Sequence, residues 1–139
     1  MDFVDIFPRL GVSLAIGLLV GCERGWQERD EPSGGRTAGI RTFGLSGFLG
    51  GLAGYLQTLS GPVVPAVLLL LYGAAFIIFR QREAKEADDY GVTTVVASFV
   101  VFALGALAVL GDLRLAAAGG VATTALLAAK RSLHGFLRQ

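Results

Sequence analysis

The sequence predicts an all-α integral membrane protein with five transmembrane helices, and its composition and charge pattern predict this fold. Of the 139 residues, 53% are hydrophobic and 17% are charged, whereas soluble domains carry about 25% charged residues. The charges lie in short segments between long apolar runs, and the mean hydropathy is +0.63. Because charged segments do not lie in hydrocarbon, they mark the ends of membrane spans. We therefore expect a single membrane domain covering residues 1–139.

The first apolar run, residues 10–22, is shorter than the roughly 20 residues that a span needs, so we expect its helix to extend on both sides. The helix then begins near Asp5, with Pro8 in its first turn, where the missing N–H is tolerated. Acidic residues precede this run and Glu23-Arg24 follows it, which does not fit a secretory signal, so we expect the helix to be retained. The predicted helices cover residues 5–24, 39–59, 62–80, 90–111 and 113–131.

Polar segments separate these helices. The stretch from Gly21 to Thr42 gathers eight charged residues between the first two helices. An uncharged turn at 60–62 joins the second and third helices, and the charged segment 80–89 joins the third and fourth. The short turn at 111–114 precedes the fifth helix.

Glycines recur at four-residue spacing in the first two helices. Such spacing places small residues on one helical face, where another backbone can approach closely. We therefore predict that the first two helices pack tightly together, although glycine is also tolerated in membrane helices without a packing role. The predicted packing residues are Gly17, Gly21, Gly25, Gly47 and Gly51.

The basic residues indicate the orientation of the chain. In order, the terminal and connecting segments carry one, four, none, three, one and three Lys or Arg residues. Because cytoplasmic segments hold an excess of them, the N-terminus is expected outside and the C-terminus in the cytoplasm. The net charge of only +1 excludes a global field that would attract nucleic acid. The single cysteine excludes an intramolecular disulfide.

The most informative charges lie at the end of the first helix and the start of the second. Ionisable groups near a membrane are expensive unless they are paired or functional. Glu23 with Arg24, and Arg41 with Thr42, come together if these helices form a hairpin. Three interpretations stay open: an ion pair between Glu23 and Arg41, a cation or proton site at Glu23, and charges that only anchor helix ends at the interface.

A second group of polar residues opens the fourth helix. Thr93 and Thr94 offer hydroxyl oxygens to a neighbour or an ion, or bond back to the preceding turn. Asp88 and Asp89 fit a helix N-cap. Since Mg²⁺ prefers carboxylate ligands, Glu23, Asp88 and Asp89 are also the chemically suitable ligands for this ion.

Little in the sequence indicates catalysis. The lone His134 lies in the C-terminal tail, and no glycine-rich phosphate-binding signature is present. We therefore do not expect an enzyme. Trp26 and Tyr90 suit the membrane interface, whereas Tyr72 in the middle of the third helix has no such explanation.

Several motifs resemble the N-terminal membrane domain of the MgtC/SapB family. The helix end Gly17–Arg24 and the helix start Ala38–Phe43 carry the specific part of the resemblance, which Gly91–Thr94 and Leu104–Ala106 extend over nearly the whole chain. The resemblance implies about five helices in the bacterial inner membrane and a link to magnesium homeostasis. In a longer branch of the family, a Glu often follows the Gly-x-Thr-Thr motif, where this chain has Val95. Virulence-associated members carry a soluble regulatory domain after the membrane part, and from this sequence we expect no regulation through such a domain.

Two functional hypotheses follow. The first is a small inner-membrane protein that transports or senses a cation, expected to be Mg²⁺, with Glu23 as principal carboxylate and Arg24 and Arg41 positioning it. Thr42, Thr93 and Thr94 would line the same cytoplasmic cleft. The second is a non-transporting modulator or subunit that binds another membrane protein through the glycine faces. In either case we expect the protein to lie in the lipid bilayer and to form a homo-oligomer or to pair with another membrane protein.

Overall fold

The computed structural model describes the backbone of residues 2–27, 39–83 and 88–137, and the side chains of residues 2–26, 39–78 and 93–129. The described backbone is helical throughout, apart from short turns, which confirms the all-helical prediction. The helices are α1 (Phe3–Gln27), α2 (Ile40–Ser60), α3 (Val63–Glu83), α4 (Asp88–Leu110) and α5 (Leu113–Leu137). Their ends lie within three residues of the predicted bounds, except that α5 extends to 137 instead of 131.

Two of the described helices are long and apolar enough to cross a membrane, Phe3–Trp26 and Thr93–Leu110. Val63–Ile78 and Leu113–Ala129 form shorter apolar helices. This pattern is consistent with a helical membrane protein. Of the five described helices, α2 is the richest in glycine.

One detail of α1 was predicted wrongly. The helix begins at Phe3, and the N–H groups of Asp5 and Ile6 already donate to the carbonyl oxygen of Asp2. Pro8 therefore lies inside the helix and not in its first turn. The helix thus begins at Phe3, two residues before the predicted start. The carbonyl oxygen of Asp2 is the first acceptor of its hydrogen-bond pattern.

The helices α1 and α2 form an antiparallel hairpin whose backbones nearly touch. A Cβ added to Gly17 would overlap the carbonyl oxygen of Phe43, and one added to Gly47 would overlap that of Ser13. At Gly21 it would lie 2.7 Å from the Cα of Ile40. Any larger side chain at these positions would force the two helices apart, so α1 and α2 approach each other closely here.

The helix α4 closes the same seam from the other side and runs parallel to α2. A Cβ at Gly50 would overlap the carbonyl oxygen of Phe102, and one at Gly54 would lie 3.1 Å from that of Ala106. A Cβ at Gly105 would in turn overlap the carbonyl oxygen of Gly47. We refer to the contacts made by Gly17, Gly21, Gly47, Gly50 and Gly105 as the glycine seam.

The remaining helices pack around the glycine seam. The helix α5 lies against α1 and α4, whereas α3 contacts α2 and α4 and is the most peripheral of the five described helices. The main apolar cluster joins α1, α2, α3, α4 and α5 near the end where α1 finishes. Its buried members are Val20, Phe43, Phe76, Ala97, Val101 and Leu127.

Candidate site at the common end of α1, α2 and α4

Three helix ends meet at one end of the bundle. The contact of Gly21 with Ile40 places the end of α1 beside the start of α2. Since α2 and α4 run parallel, with Gly50 against Phe102, the start of α4 lies at this same end. The structure thus brings together the two neighbourhoods that the sequence analysis selected.

The ion pair at this end joins adjacent residues of α1. The Nε atom of Arg24 lies 2.8 Å from Oε2 of Glu23, and Nη2 donates to Oε1 at 3.4 Å. The side chains are only 4% and 7% exposed, for Arg24 and Glu23 respectively. A buried charge without a partner is strongly unfavourable, and in this pair each charge compensates the other. Breaking the pair on one side would leave an uncompensated charge.

The predicted pair between Glu23 and Arg41 is not observed among the described side chains, since the Glu23 carboxylate is engaged by Arg24. The side chain of Arg41 is exposed, one residue into α2. Thr42 is half-buried, and its carbonyl oxygen accepts a hydrogen bond of 2.8 Å from the Ser46 hydroxyl. For Glu23, the neighbouring Arg24 is favoured over Arg41 because α1 continues to Gln27. Both members of the pair therefore lie on the same turn of one helix.

The threonines of α4 differ in their surroundings. Thr93 is half-buried and makes a polar contact, while Thr94 is completely buried. Its Oγ1 atom has no hydrogen-bond partner among the residues that the structure describes. Asp88 and Asp89 lie in the first turn of α4, but their side chains are outside the described set.

The predicted magnesium ligands are therefore only partly visible. Among the described residues, no group of three or more His, Cys, Asp or Glu side chains converges on a metal position. Glu23 is the described carboxylate at this end of the bundle, and Arg24 already occupies it. A site formed by Glu23 with Asp88 and Asp89 stays a prediction.

Sequence reasoning missed a cluster of hydroxyls one turn deeper in the bundle. The phenol of Tyr72 donates to the Oγ atom of Ser46 at 2.5 Å, and the Ser98 hydroxyl lies close to the same phenol. The Tyr72 ring packs on Phe76 and Phe102, with centroid distances of 6.0 and 5.3 Å. These contacts explain why a tyrosine lies in the middle of α3, far from the membrane interface that tyrosines prefer. The isolated serines within the apolar runs were the sequence feature that could have indicated this cluster.

The comparison with family models is decisive for classification. The model of the MgtC family matches residues 10–136, which is most of the chain. The chain belongs to the MgtC family. This confirms the resemblance found in the sequence, and it links the protein to magnesium-related function in general. The comparisons with curated proteins and with solved structures give no match.

The geometry also bears on how a member of the MgtC family would bind a partner. Gly17, Gly21, Gly47 and Gly51 are buried within the chain and meet other helices of the same molecule. The glycine faces named in the modulator hypothesis thus contact other helices of the same chain. At Gly25 an added Cβ would meet no described atom within 4 Å.

Proposed function

We propose that this member of the MgtC family is a multi-pass protein of the bacterial inner membrane that senses Mg²⁺ on its cytoplasmic side. In this proposal all five helices span the bilayer, with the N-terminus outside and the C-terminus in the cytoplasm. The ion acts at the common end of α1, α2 and α4, where Glu23 supplies the carboxylate. The buried pair between Glu23 and Arg24 is the observation that carries the proposal.

The pair between Glu23 and Arg24 supports sensing because Mg²⁺ would compete with the Arg24 guanidinium for the Glu23 carboxylate. A Mg²⁺ ion that approaches the Glu23 carboxylate must displace or shift the Arg24 guanidinium, which lies at 2.8 Å. Since a buried guanidinium without a counter-charge is strongly unfavourable, Arg24 must then move toward water. Ion binding is thereby converted into a movement of the end of α1, beside the start of α2.

The glycine seam favours sensing over transport. Along it, the backbones of α1, α2 and α4 approach so closely that a single added methyl group would overlap the main chain at Gly17, Gly47 and Gly50. Mg²⁺ keeps most of its hydration shell in proteins and needs far more width than this. A second copy or another membrane protein, if one binds, would have to use a face other than the glycine faces.

The chain contains a built-in reporter for the test. Trp26 is the single tryptophan, lies three residues after Glu23 and is 63% exposed. We expect Mg²⁺ titration of the purified protein in nanodiscs to change Trp26 fluorescence. In Glu23→Gln the apparent Kd should rise by about tenfold or more, which is a loss of about 1.4 kcal/mol of binding free energy.

Asp5→Asn is the matched control, because it removes one exposed carboxylate at the other end of α1 and should leave the titration unchanged. A folded wild-type protein whose fluorescence ignores Mg²⁺ would refute the sensing proposal. Mg²⁺ flux into proteoliposomes that Glu23→Gln abolishes would replace sensing by transport through this site.

A further inference from the structure

Most serine and threonine hydroxyls on the described helices bond back to a carbonyl of the preceding turn. This arrangement is the usual way to satisfy a hydroxyl inside an apolar helix. The donors that follow it are Ser13, Ser46, Thr58, Ser60, Ser98, Thr123 and Thr124. Thr94 departs from this rule, although its side chain is fully buried and its Oγ1 atom has no partner. A buried polar group in this state points to a ligand.

The parallel register of α2 and α4 places Thr94 above the hydroxyl cluster. At two contacts, Gly50 with Phe102 and Gly54 with Ala106, a residue of α2 lies beside the residue numbered 52 higher in α4. One turn toward the common end, the same offset places Ser46 beside Ser98, and the Tyr72 phenol contacts both. Thr94 lies one further turn along, on the same face as Ser98, with Cβ atoms about 5–6 Å apart.

The hydrogen-bond inventory of this cluster defines the ligand. The Tyr72 proton is donated to Ser46, and the Ser98 proton is donated to the carbonyl oxygen of Val95 at 2.6 Å. Both oxygens therefore offer lone pairs only, while the Thr94 hydroxyl has a proton to donate. A molecule that accepts one hydrogen bond and donates two satisfies all three groups.

We propose that a single buried water molecule binds between Thr94, Ser98 and Tyr72. Water has the required one acceptor and two donor functions, and buried waters typically make about three hydrogen bonds. It joins oxygens up to about 5.5 Å apart, which matches the spacing of one helical turn. The water thus connects the buried layer at the common end to α3 through Tyr72.

The surroundings disfavour a charged ligand. An anion would face the lone pairs of Ser98 and Tyr72. A bare metal cation would lack a carboxylate, since Glu23 is paired with Arg24 and the interior groups described here are hydroxyls. Water carries no charge and avoids each of these costs.

The sign of a stability change tests the proposal. If the Thr94 hydroxyl were dry and unpaired, the nearly isosteric Thr94→Val would remove an unfavourable group and raise Tm. With the bridging water, Thr94→Val removes one of its three partners, and we expect Tm to fall by about 3 °C. Thr94→Ser keeps the hydroxyl and should recover most of that loss. A rise in Tm for Thr94→Val would overturn the proposal.

A double-mutant cycle locates the bridge. Thr94→Val and Tyr72→Phe should be non-additive, because the water links two side chains that are not bonded directly. Thr94→Val with Thr123→Val is the matched control, since Thr123 bonds back to the carbonyl oxygen of Gly119 on α5, and here the effects should add. Additive effects for Thr94 and Tyr72 would contradict the bridge.

Two measurements on the wild-type protein do not depend on folding of a variant. Solid-state NMR should show magnetisation transfer from a slowly exchanging water to the Thr94 side chain, and its absence would refute the site. Tm should not depend on whether Na⁺ or K⁺ is present. A cation-dependent Tm that Thr94→Val abolishes would identify a metal ion in place of the water.

Discussion

The glycine seam and α3 are held in the bundle by different kinds of contact. Along the seam, main-chain atoms of α1, α2 and α4 meet main-chain atoms, as at Gly17 and Gly50. By contrast, α3 is attached by side-chain tips, chiefly the Tyr72 phenol on Ser46 and the ring of Tyr72 on Phe102. Main-chain contacts cannot adjust by rotamer changes, whereas side-chain contacts can. The comparison therefore separates a rigid three-helix core from a helix that can open first.

The surface of α3 agrees with this division. Its outer face carries large apolar side chains, among which Leu70 is 73% exposed and Leu71 is 64% exposed. In the proposed membrane placement these side chains contact lipid, so α3 gains little from burial against its neighbours. Regions with few buried contacts open at low free energy, often without global unfolding.

The largest effect is expected from Gly17→Ala in the glycine seam. The new Cβ would overlap the carbonyl oxygen of Phe43 and lie 2.9 Å from the Cα of Gly44, so the backbones must separate. We expect a loss of about 3 kcal/mol in the free energy of unfolding, the upper end for overpacking. Reversible unfolding in mixed detergent micelles would measure it.

Gly11→Ala is the control on the same helix. A Cβ at Gly11 would meet nothing within 4 Å, so only the helix propensity changes. This variant should be neutral or more stable by up to about 1 kcal/mol. Equal losses at Gly11 and Gly17 would show that the seam is not the rigid part of the molecule.

The packing faces of α1 and α2 were largely predictable from the sequence, because spacing alone determines which glycines share a helical face. Gly17, Gly21, Gly47 and Gly51 were selected in this way, and each meets a neighbouring helix. Gly25 follows the same spacing, but a Cβ there would meet no atom of the described residues within 4 Å. Periodicity identifies a face but not where the partner helix ends.

The attachment of α3 and the Glu23 pair were not predictable in the same way. The contact between Tyr72 and Ser46 joins residues 26 positions apart, and it depends on the register of two helices that the sequence does not specify. The partner of Glu23 depends on rotamers at the end of α1, where Arg24 and Arg41 are chemically equivalent candidates. Sequence reasoning therefore found the polar end of the bundle but not its pairings.

Tyr72→Phe should have an intermediate effect, concentrated in α3. It removes the hydrogen bond to Ser46 but keeps the ring that packs on Phe102. We expect a loss of about 1 kcal/mol, as for other hydrogen bonds between membrane helices. Hydrogen exchange followed by mass spectrometry should show faster exchange in α3 and unchanged exchange in the core of α2.

Tyr55→Phe is a suitable control, because Tyr55 is half-buried on α2 and also loses only a hydroxyl. It should leave exchange in α3 unchanged. If Tyr72→Phe accelerated exchange equally in α1, α2 and α4, the five helices would open as one unit, and the division between core and α3 would be lost.

The smallest effect is expected from Arg9→Met at the opposite end of the glycine seam. The Nη1 atom of Arg9 donates to the carbonyl oxygens of Ala108 and Gly111, at 3.0 and 2.8 Å, and so caps the C-terminal end of α4. A cation at a helix C-terminus contributes about 0.3–1 kcal/mol, and we expect a loss in this range. Arg114→Met, which removes an exposed charge at the same end, should change stability less.

The location of the Arg9→Met effect matters more than its size. Arg9 makes two hydrogen bonds to the end of α4, whereas Tyr72 makes one to Ser46. The loss at Arg9 should nevertheless stay local, because the close contacts at Gly50 and Gly105 already hold α4 along its length. Exchange should therefore increase only in the last turn of α4, whereas Tyr72→Phe should affect all of α3. Exchange that spread along α4 would mean that polar caps, and not main-chain contacts, hold this helix in the core.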